Sequence, residues 1–290
     1  MNPIKIWILG ARPKTLFAAI SPVIAASFYT LYLDEFKLNL TLLALLVALA
    51  LQIGVNYAND YSDGIRGTDE ERVGPIRLVG QKLASAKSVK RAAFTSFAIA
   101  AVAGLLITVS INEYWILLIG LSAIVSAWFY TGGSRPYGYL GLGELFVFIY
   151  FGIVATMGTV YIQTKLLDVE SFILGSAMGS FAVAILLTNN LRDIQKDAEV
   201  GKRTLAVLLG DKYTRVLILL VVLKPFFNLG FFIYFFESGV WPALFALLWL
   251  IQPLIIILSG ATGRPLVAVL VKTGQAQFLF SLLLIFSLFF

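Results

Sequence analysis

The chain has 290 residues, of which 59% are apolar and 13% charged, with a mean hydropathy of +0.90 and a net charge of +6. That balance lies far outside the range of soluble domains. Cysteine and histidine are both absent, which excludes disulfides, thiolate or imidazole metal sites, Cys nucleophiles and His-based acid–base pairs. The chemistry left to the chain belongs to carboxylates, Lys, Arg, Tyr, Asn and Gln.

A bilayer core takes about 20 apolar residues per helical crossing. Nine stretches meet that need in chain order: 15–33, 40–59, 91–110, 114–131, 141–164, 171–190, 214–236, 241–259 and 270–290. The expected fold is an all-α integral membrane protein, one polytopic domain over 1–290 with nine transmembrane helices. The first stretch follows Lys5, Arg12 and Lys14 and contains "VIAAS", as a cleavable leader would. Its apolar run continues through Leu33, which favours a spanning helix.

With nine alternating crossings, 19 of the 22 Lys and Arg residues fall on the side of the N-terminus. This asymmetry predicts a cytoplasmic N-terminus, cytoplasmic charged loops at about 60–90 and 191–213, and an external C-terminus in a cell membrane. The positive charge thus reads as topology. No basic run is interleaved with aromatics, so nucleic acid is not an expected partner.

The two charged loops open alike. "NDYSDGIRG" starts at Asn59 after the second stretch and "NNLRDIQKD" at Asn189 after the sixth, each with Asn-x-x-x-Asp. The i,i+4 spacing puts Asn59 beside Asp63, with Asp60 close by, and aligns Asn189, Asp193 and Asp197 in the same way. A repeat across four helices suggests two pseudo-repeated halves meeting at a shared centre. Solvated charge at helix ends explains one such copy; two copies, each backed by apolar helix, favour a site.

If Asp60, Asp63, Asp193 and Asp197 converge, each like-charge pair at 4 Å costs roughly 4 kcal/mol at an effective dielectric near 20. A cation between them removes that cost. Oxygen-only donors suit a hard divalent ion, and Mg2+ is commonly shared between one or two carboxylates and substrate phosphates. With Arg72, Arg77, Lys202 and Arg203 following the acids, the pattern predicts a Mg2+-bridged diphosphate gripped by cations.

At this point the chain resembles the intramembrane prenyltransferases of the UbiA superfamily, over nearly its whole length. The resemblance rests on "ARPKTLFAAISPV" (11–23), "NDYSDGIRGTDEERVGPIRLV" (59–79), "YTGGSRPYGYLGLGELFVF" (130–148), "GTVYIQT" (158–164) and "NNLRDIQKDAEVGKRTLAVLLG" (189–210). Within the superfamily it is most similar to the branch that prenylates 1,4-dihydroxy-2-naphthoate in menaquinone biosynthesis. Many members carry a third Asp four residues after the second. Here that place is Gly67, and the acid comes at Asp69, as a ligand or as support for one.

The resemblance implies a UbiA-type bundle in which Asn59, Asp60, Asp63, Asp193 and Asp197, with Asn190 as a further ligand, hold Mg2+ and an allylic polyprenyl diphosphate. It further implies ionisation of the diphosphate and alkylation of the naphthoate, with loss of carbon dioxide and diphosphate, in a cavity that excludes water. The tail would enter sideways from lipid. Other acceptors, namely homogentisate, 4-hydroxybenzoate or a glycerol phosphate lipid, stay open, as does a secondary transporter, although a transporter would favour isolated charges at mid-depth.

Tyr130, Tyr139, Glu144 and Gln163 are polar positions beside or within helices that would contact the acceptor, or else serve as interfacial anchors and interhelical hydrogen bonds. Lys224 with Pro225, near the middle of its stretch, is either a functional intramembrane lysine or a structural one on a kinked helix, its long side chain reaching a polar cavity or interface. Arg12 and Lys14 extend the diphosphate grip or anchor the N-terminus. "YTGGSRPYG" reads as a tight turn, and no Walker or dinucleotide fingerprint is present.

Overall fold

A computed structural model describes residues 2–67, 76–235 and 239–287. Those residues form an all-helical bundle with no strand. In chain order the helices are α1 (Pro3–Gly10), α2 (Phe17–Tyr32), α3 (Leu38–Ile65), α4 (Ala86–Ile111), α5 (Ile116–Phe129), α6 (Gly143–Thr164), α7 (Val169–Arg192), α8 (Ile194–Glu199), α9 (Leu205–Phe235), α10 (Trp241–Leu258) and α11 (Pro265–Phe286).

Each of the nine apolar stretches falls on a helix. By length and composition, however, six of the described helices suffice to cross a membrane, or seven if the bent pair Ile4–Thr15 and Phe17–Tyr32 is one span. The clearest shortfall is α5: its 14 residues rise about 21 Å, less than the ~30 Å of hydrocarbon.

Local chemistry explains the breaks. Arg12 precedes Pro13, whose ring disfavours helical backbone in the residue before it, and Arg12 takes a left-handed φ of 54°. The segment Ile4–Thr15 that contains this turn meets α2 at an angle of 51°. Asp168 starts α7, its Oδ1 accepting from Ser171 N at 2.9 Å while Oδ2 takes the Tyr29 hydroxyl at 2.6 Å. The small residues of α2 pack inside the bundle, with Ala25, Ala26 and Phe28 fully buried.

The core forms around α7, 78% of whose spanning window is buried. Phe181 packs edge-on to Phe226 of α9 and Phe280 of α11, with ring centroids 5.9 and 5.6 Å away. Against α6, α7 comes closer still, through Gly175 and Gly179 facing Gly152 in a small-x-x-x-small arrangement. Gly152 lies in a π-helical stretch, Phe148–Val154, whose wider turns also give Tyr150, Phe151 and Val154 to a cavity wall. Lys224 donates to Ser176 Oγ and lies 5.9 Å from the Phe148 ring centroid, so it ties α9 to α6 and α7.

A side chain at position 179 has no room, because its Cβ would sit 2.8 Å from Phe148 Cδ2 and 2.9 Å from the Phe148 carbonyl oxygen. Gly179→Val should therefore cost about 2 kcal/mol. The check is a lowered melting temperature in detergent. An unchanged value would mean that α6 and α7 are farther apart.

Candidate active site

The charged ends of α3 and α7 meet at one end of the bundle. Asp63 is 4% exposed and is the meeting point: Lys202 Nζ donates to its Oδ1 at 3.1 Å, Tyr139 Oη donates to the same oxygen at 2.6 Å, and Arg77 Nη2 lies 3.7 Å from Oδ2. A buried carboxylate is costly unless paired, and this one is held by two cations and a hydroxyl. Tyr139 is itself fixed on both sides, with Lys202 Nζ 4.6 Å and the Arg66 guanidinium 5.3 Å from its ring centroid. Burial, then the adjacent Asp63 charge, raises the Tyr139 pKa, so the phenol stays protonated and donates.

Arg66 also donates to the carbonyl oxygens of Thr131 and Gly133, and Arg203 N donates to the Tyr139 carbonyl at 3.0 Å. The loop between α5 and α6 is thus pinned to both charged loops. Gly138 in that loop has no space for a side chain: a Cβ would come within 2.6 Å of the Tyr130 carbonyl oxygen.

Under this polar roof runs a cavity of about 720 Å³. Asn59, Asp63, Arg77, Asn189, Asn190, Arg192, Asp197 and Lys202 line its charged end, with Arg12 and Lys14 from the bend before α2 and Tyr130 and Tyr139 from the pinned loop. From Asp63 the α3 wall continues to Ala44, a helical rise of about 28 Å. That body is apolar, lined mainly by Ala, Val, Leu, Ile and Gly. Gln52 and Asn56 interrupt it near the top, hydrogen-bonded to each other at 3.2 Å, with Asn56 Nδ2 donating to the Ala11 carbonyl at 2.9 Å.

The four predicted acids do not converge as a set. Asp63 and Asp197 line the cavity. Asp60, fully buried, turns to the 76–79 segment, accepting from Leu78 N at 2.7 Å and Val79 N at 3.0 Å. Asp193 accepts from Arg192 Nε at 2.8 Å and Nη2 at 2.6 Å. Among the described residues no group of three or more acidic side chains is placed to hold a metal ion. The donors on the wall, two carboxylates with the amides of Asn59, Asn189 and Asn190, nonetheless fit a hard divalent cation shared with a phosphate ligand.

The remaining expected residues divide by position. Asp69 and Arg72 lie outside the described residues. The Arg203 side chain is exposed and off the cavity wall. Glu144 stands behind the wall, its Oε1 accepting from Asn190 Nδ2 at 2.9 Å. Gln163 is at the far end of α6, where its Oε1 accepts from Lys37 N at 2.7 Å. It belongs to a separate polar cluster in which Lys165 bonds Glu113 at 3.1 Å and holds that carboxyl below its usual range. Asn189 and Arg192 line the site but were not singled out as site residues, although both stand in the repeated motif: Arg192 Nη2 bonds Asn189 Oδ1 at 2.9 Å and is nearly buried.

The Asp60 geometry has a direct test. Asp60→Ala removes both anchors of the 76–79 segment and should raise protease cleavage there; Asp60→Asn keeps one carbonyl oxygen and should give a smaller rise. Equal, unchanged cleavage in both would mean the carboxylate is not engaged by the backbone.

A family model described as the UbiA prenyltransferase family matches residues 19–262. The 1,4-dihydroxy-2-naphthoate octaprenyltransferase of Mycobacterium tuberculosis is 52% identical over 211 residues, covering 73% of this chain and 72% of that one. Among solved structures, a UbiA homolog from Aeropyrum pernix K1 superposes with a TM-score of 0.71 at 15% identity, over 95% of this chain and 96% of that one. A UbiA homolog from Archaeoglobus fulgidus bound to GPP and Mg2+ gives 0.58 at 14% identity, over 94% and 99%. A membrane-type helical bundle, two charged motifs joined at Asp63 and a family match across most of the sequence lead to one assignment: the chain belongs to the UbiA prenyltransferase family.

Proposed function

We propose that this chain transfers a polyprenyl group from an allylic polyprenyl diphosphate to 1,4-dihydroxy-2-naphthoate, releasing diphosphate and carbon dioxide and forming demethylmenaquinol. The observation that carries the reading is the continuity of the cavity, charged at one end and lined mainly by apolar side chains toward the other, over a helical rise of about 28 Å from Asp63 to Ala44, which matches a diphosphate with a long hydrocarbon tail. The naphthoate as acceptor is supported by the 52% identical relative that bears that activity in its name.

In this reading Lys202, Arg77, Arg192, Arg12 and Lys14 surround the diphosphate and stabilise the negative charge that grows as it departs. Asp63 and Asp197, with Asn59, Asn189 and Asn190, would hold Mg2+. Asp60 and Asp193 support that set through the 76–79 segment and Arg192, and Asp69 and Arg72 belong to the same charged loop. Bound Mg2+ would supply further neutralisation of the diphosphate charge. Tyr130 and Tyr139 face the acceptor, and Glu144 fixes the Asn190 amide from behind. The apolar wall keeps water from the allylic cation.

The protein in this reading is one polytopic unit of nine crossings in the cell membrane, with the N-terminus and both charged loops cytoplasmic, an orientation that the basic-residue asymmetry supports. The crossings beyond the six met by length and composition are α2, α5 and α9: α2 and α5, at 16 and 14 residues, would complete the bundle by packing against longer neighbours, and α9 has 31 residues with a break in its helical backbone at Gly210.

The test uses purified protein in nanodiscs with dihydroxynaphthoate, a polyprenyl diphosphate and Mg2+. Diphosphate and carbon dioxide should appear together, and chelation of Mg2+ by EDTA should stop their release. Asp63→Ala and Asp197→Ala should each lower kcat at least 100-fold while the protein stays folded. Turnover with homogentisate or 4-hydroxybenzoate but not with the naphthoate would move the acceptor. Wild-type rates in both Asp variants would refute the site.

A further inference from the structure

The cavity wall is not of one kind. Among the described residues its aromatic side chains all come from positions 130–151: Tyr130, Tyr137, Tyr139, Phe146, Tyr150 and Phe151. The walls given by α2, α3 and α4 carry no ring. A hydrocarbon tail needs only apolar surface, which aliphatic side chains supply, whereas a flat aromatic ligand gains further from contact with other rings. One side of the cavity is therefore suited to a different occupant from the rest.

Tyr137, Phe146 and Tyr150 form a column on that side. The Tyr137 and Phe146 ring centroids are 4.1 Å apart with an interplanar angle of 26°, and those of Phe146 and Tyr150 are 6.3 Å apart at 28°. Both phenols are tied to α5. Tyr137 Oη donates to the Ser126 carbonyl at 2.9 Å, and Tyr150 Oη donates to Ser122 Oγ at 3.0 Å while accepting from Ser126 Oγ at 3.2 Å. With the hydroxyls engaged by α5, what these residues offer a ligand is ring. All three are half-buried, and the apolar core takes their neighbours Val147 and Phe148 instead.

The column also stands at the right depth. Glu144, bonded to Asn190, marks the charged end on α6, and Phe146 and Tyr150 follow it by a helical rise of roughly 3 and 9 Å. The allylic carbon is bonded directly to the diphosphate, so a ring that attacks it must lie just below the charged end. We propose that Tyr137, Phe146 and Tyr150 form the slot of the aromatic acceptor, holding its flat ring against this wall beside the allylic carbon. The inference rests on the function proposed above and identifies the residues that recognise the acceptor as an aromatic ring. A glycerol phosphate lipid, which has no ring, gains nothing from such a slot.

The experiment measures kcat and the KM of donor and acceptor in nanodiscs and, with no donor present, the equilibrium Kd of dihydroxynaphthoate from its own fluorescence. Phe146→Leu and Tyr150→Leu should each raise the acceptor KM and Kd at least fivefold and leave the donor KM within twofold. Tyr150→Phe, which keeps the ring and gives up the serine bonds, should stay within threefold of the unsubstituted protein on every measure. Phe172→Leu, away from the cavity wall at 48% exposure, should match the unsubstituted protein. If a leucine variant fails to fold, Phe146→Met and Tyr150→Met make the same comparison. Unchanged acceptor KM and Kd in the ring-deleted variants, or a change confined to the donor KM or to kcat, overturns the slot while leaving the proposed function intact. Absence of naphthoate turnover in the unsubstituted protein overturns that function, and the slot with it.

Discussion

One buried carboxylate holds the polar end of this bundle together. Asp63 stands at the end of α3, yet its partners come from three other segments: Lys202 from the loop before α9, Arg77 from the loop before α4, and Tyr139 from the loop before α6. Each of those groups needs Asp63 as much as it needs them. Lys202 and Arg77 are themselves 8% and 4% exposed, and burying a cation is costly without an anion nearby. The result is a small knot of charge that fixes three loops relative to one helix.

Everything beneath the knot follows from helices chosen for an apolar medium. The same α3 that ends in Asn59, Asp60 and Asp63 supplies Ala44, Val47, Leu51 and Val55 to the wall below, so a single element presents charge at its end and hydrocarbon along its length. A helix rising 1.5 Å per residue does this without any separate binding domain. Small residues then decide where helices close and where they part. Gly152, Gly175 and Gly179 bring α6 and α7 into backbone contact, whereas Gly104 and Gly120 face open space. A glycine is equally able to tighten one seam and loosen another, depending on what stands opposite.

Much of this was legible in the sequence. The repeated Asn-x-x-x-Asp at the ends of two apolar stretches pointed to loops that meet, and Lys202 and Arg77 do reach the cavity wall with Asp63. The fate of Asp60 was not legible, because whether a carboxylate meets a ligand or a backbone N–H depends on the path of residues 76–79, which no local pattern encodes. Arg192 lies inside the motif, yet its spacing alone does not distinguish an arginine that neutralises the neighbouring Asp193 from one left in solvent. Gln163 could have been placed by arithmetic alone. Twenty residues along α6 from Gly143 carry it about 30 Å from the charged end, too far for any contact with the diphosphate. The shortness of α5 is hidden in the sequence because Tyr114, Trp115, Tyr130 and Thr131 extend the stretch 114–131 without extending the helix Ile116–Phe129.

The central claim, that Asp63 and Lys202 are directly coupled across the two charged loops, is measured by a double-mutant cycle. Unfolding free energies of the unsubstituted protein, Asp63→Asn, Lys202→Met and the double variant give the interaction term. A direct buried pair predicts a favourable coupling of about 1.5 kcal/mol or more, with the double variant less destabilised than the two single changes combined. Strict additivity, with a coupling near zero, would contradict the account, since the two loops would then owe their meeting to something else.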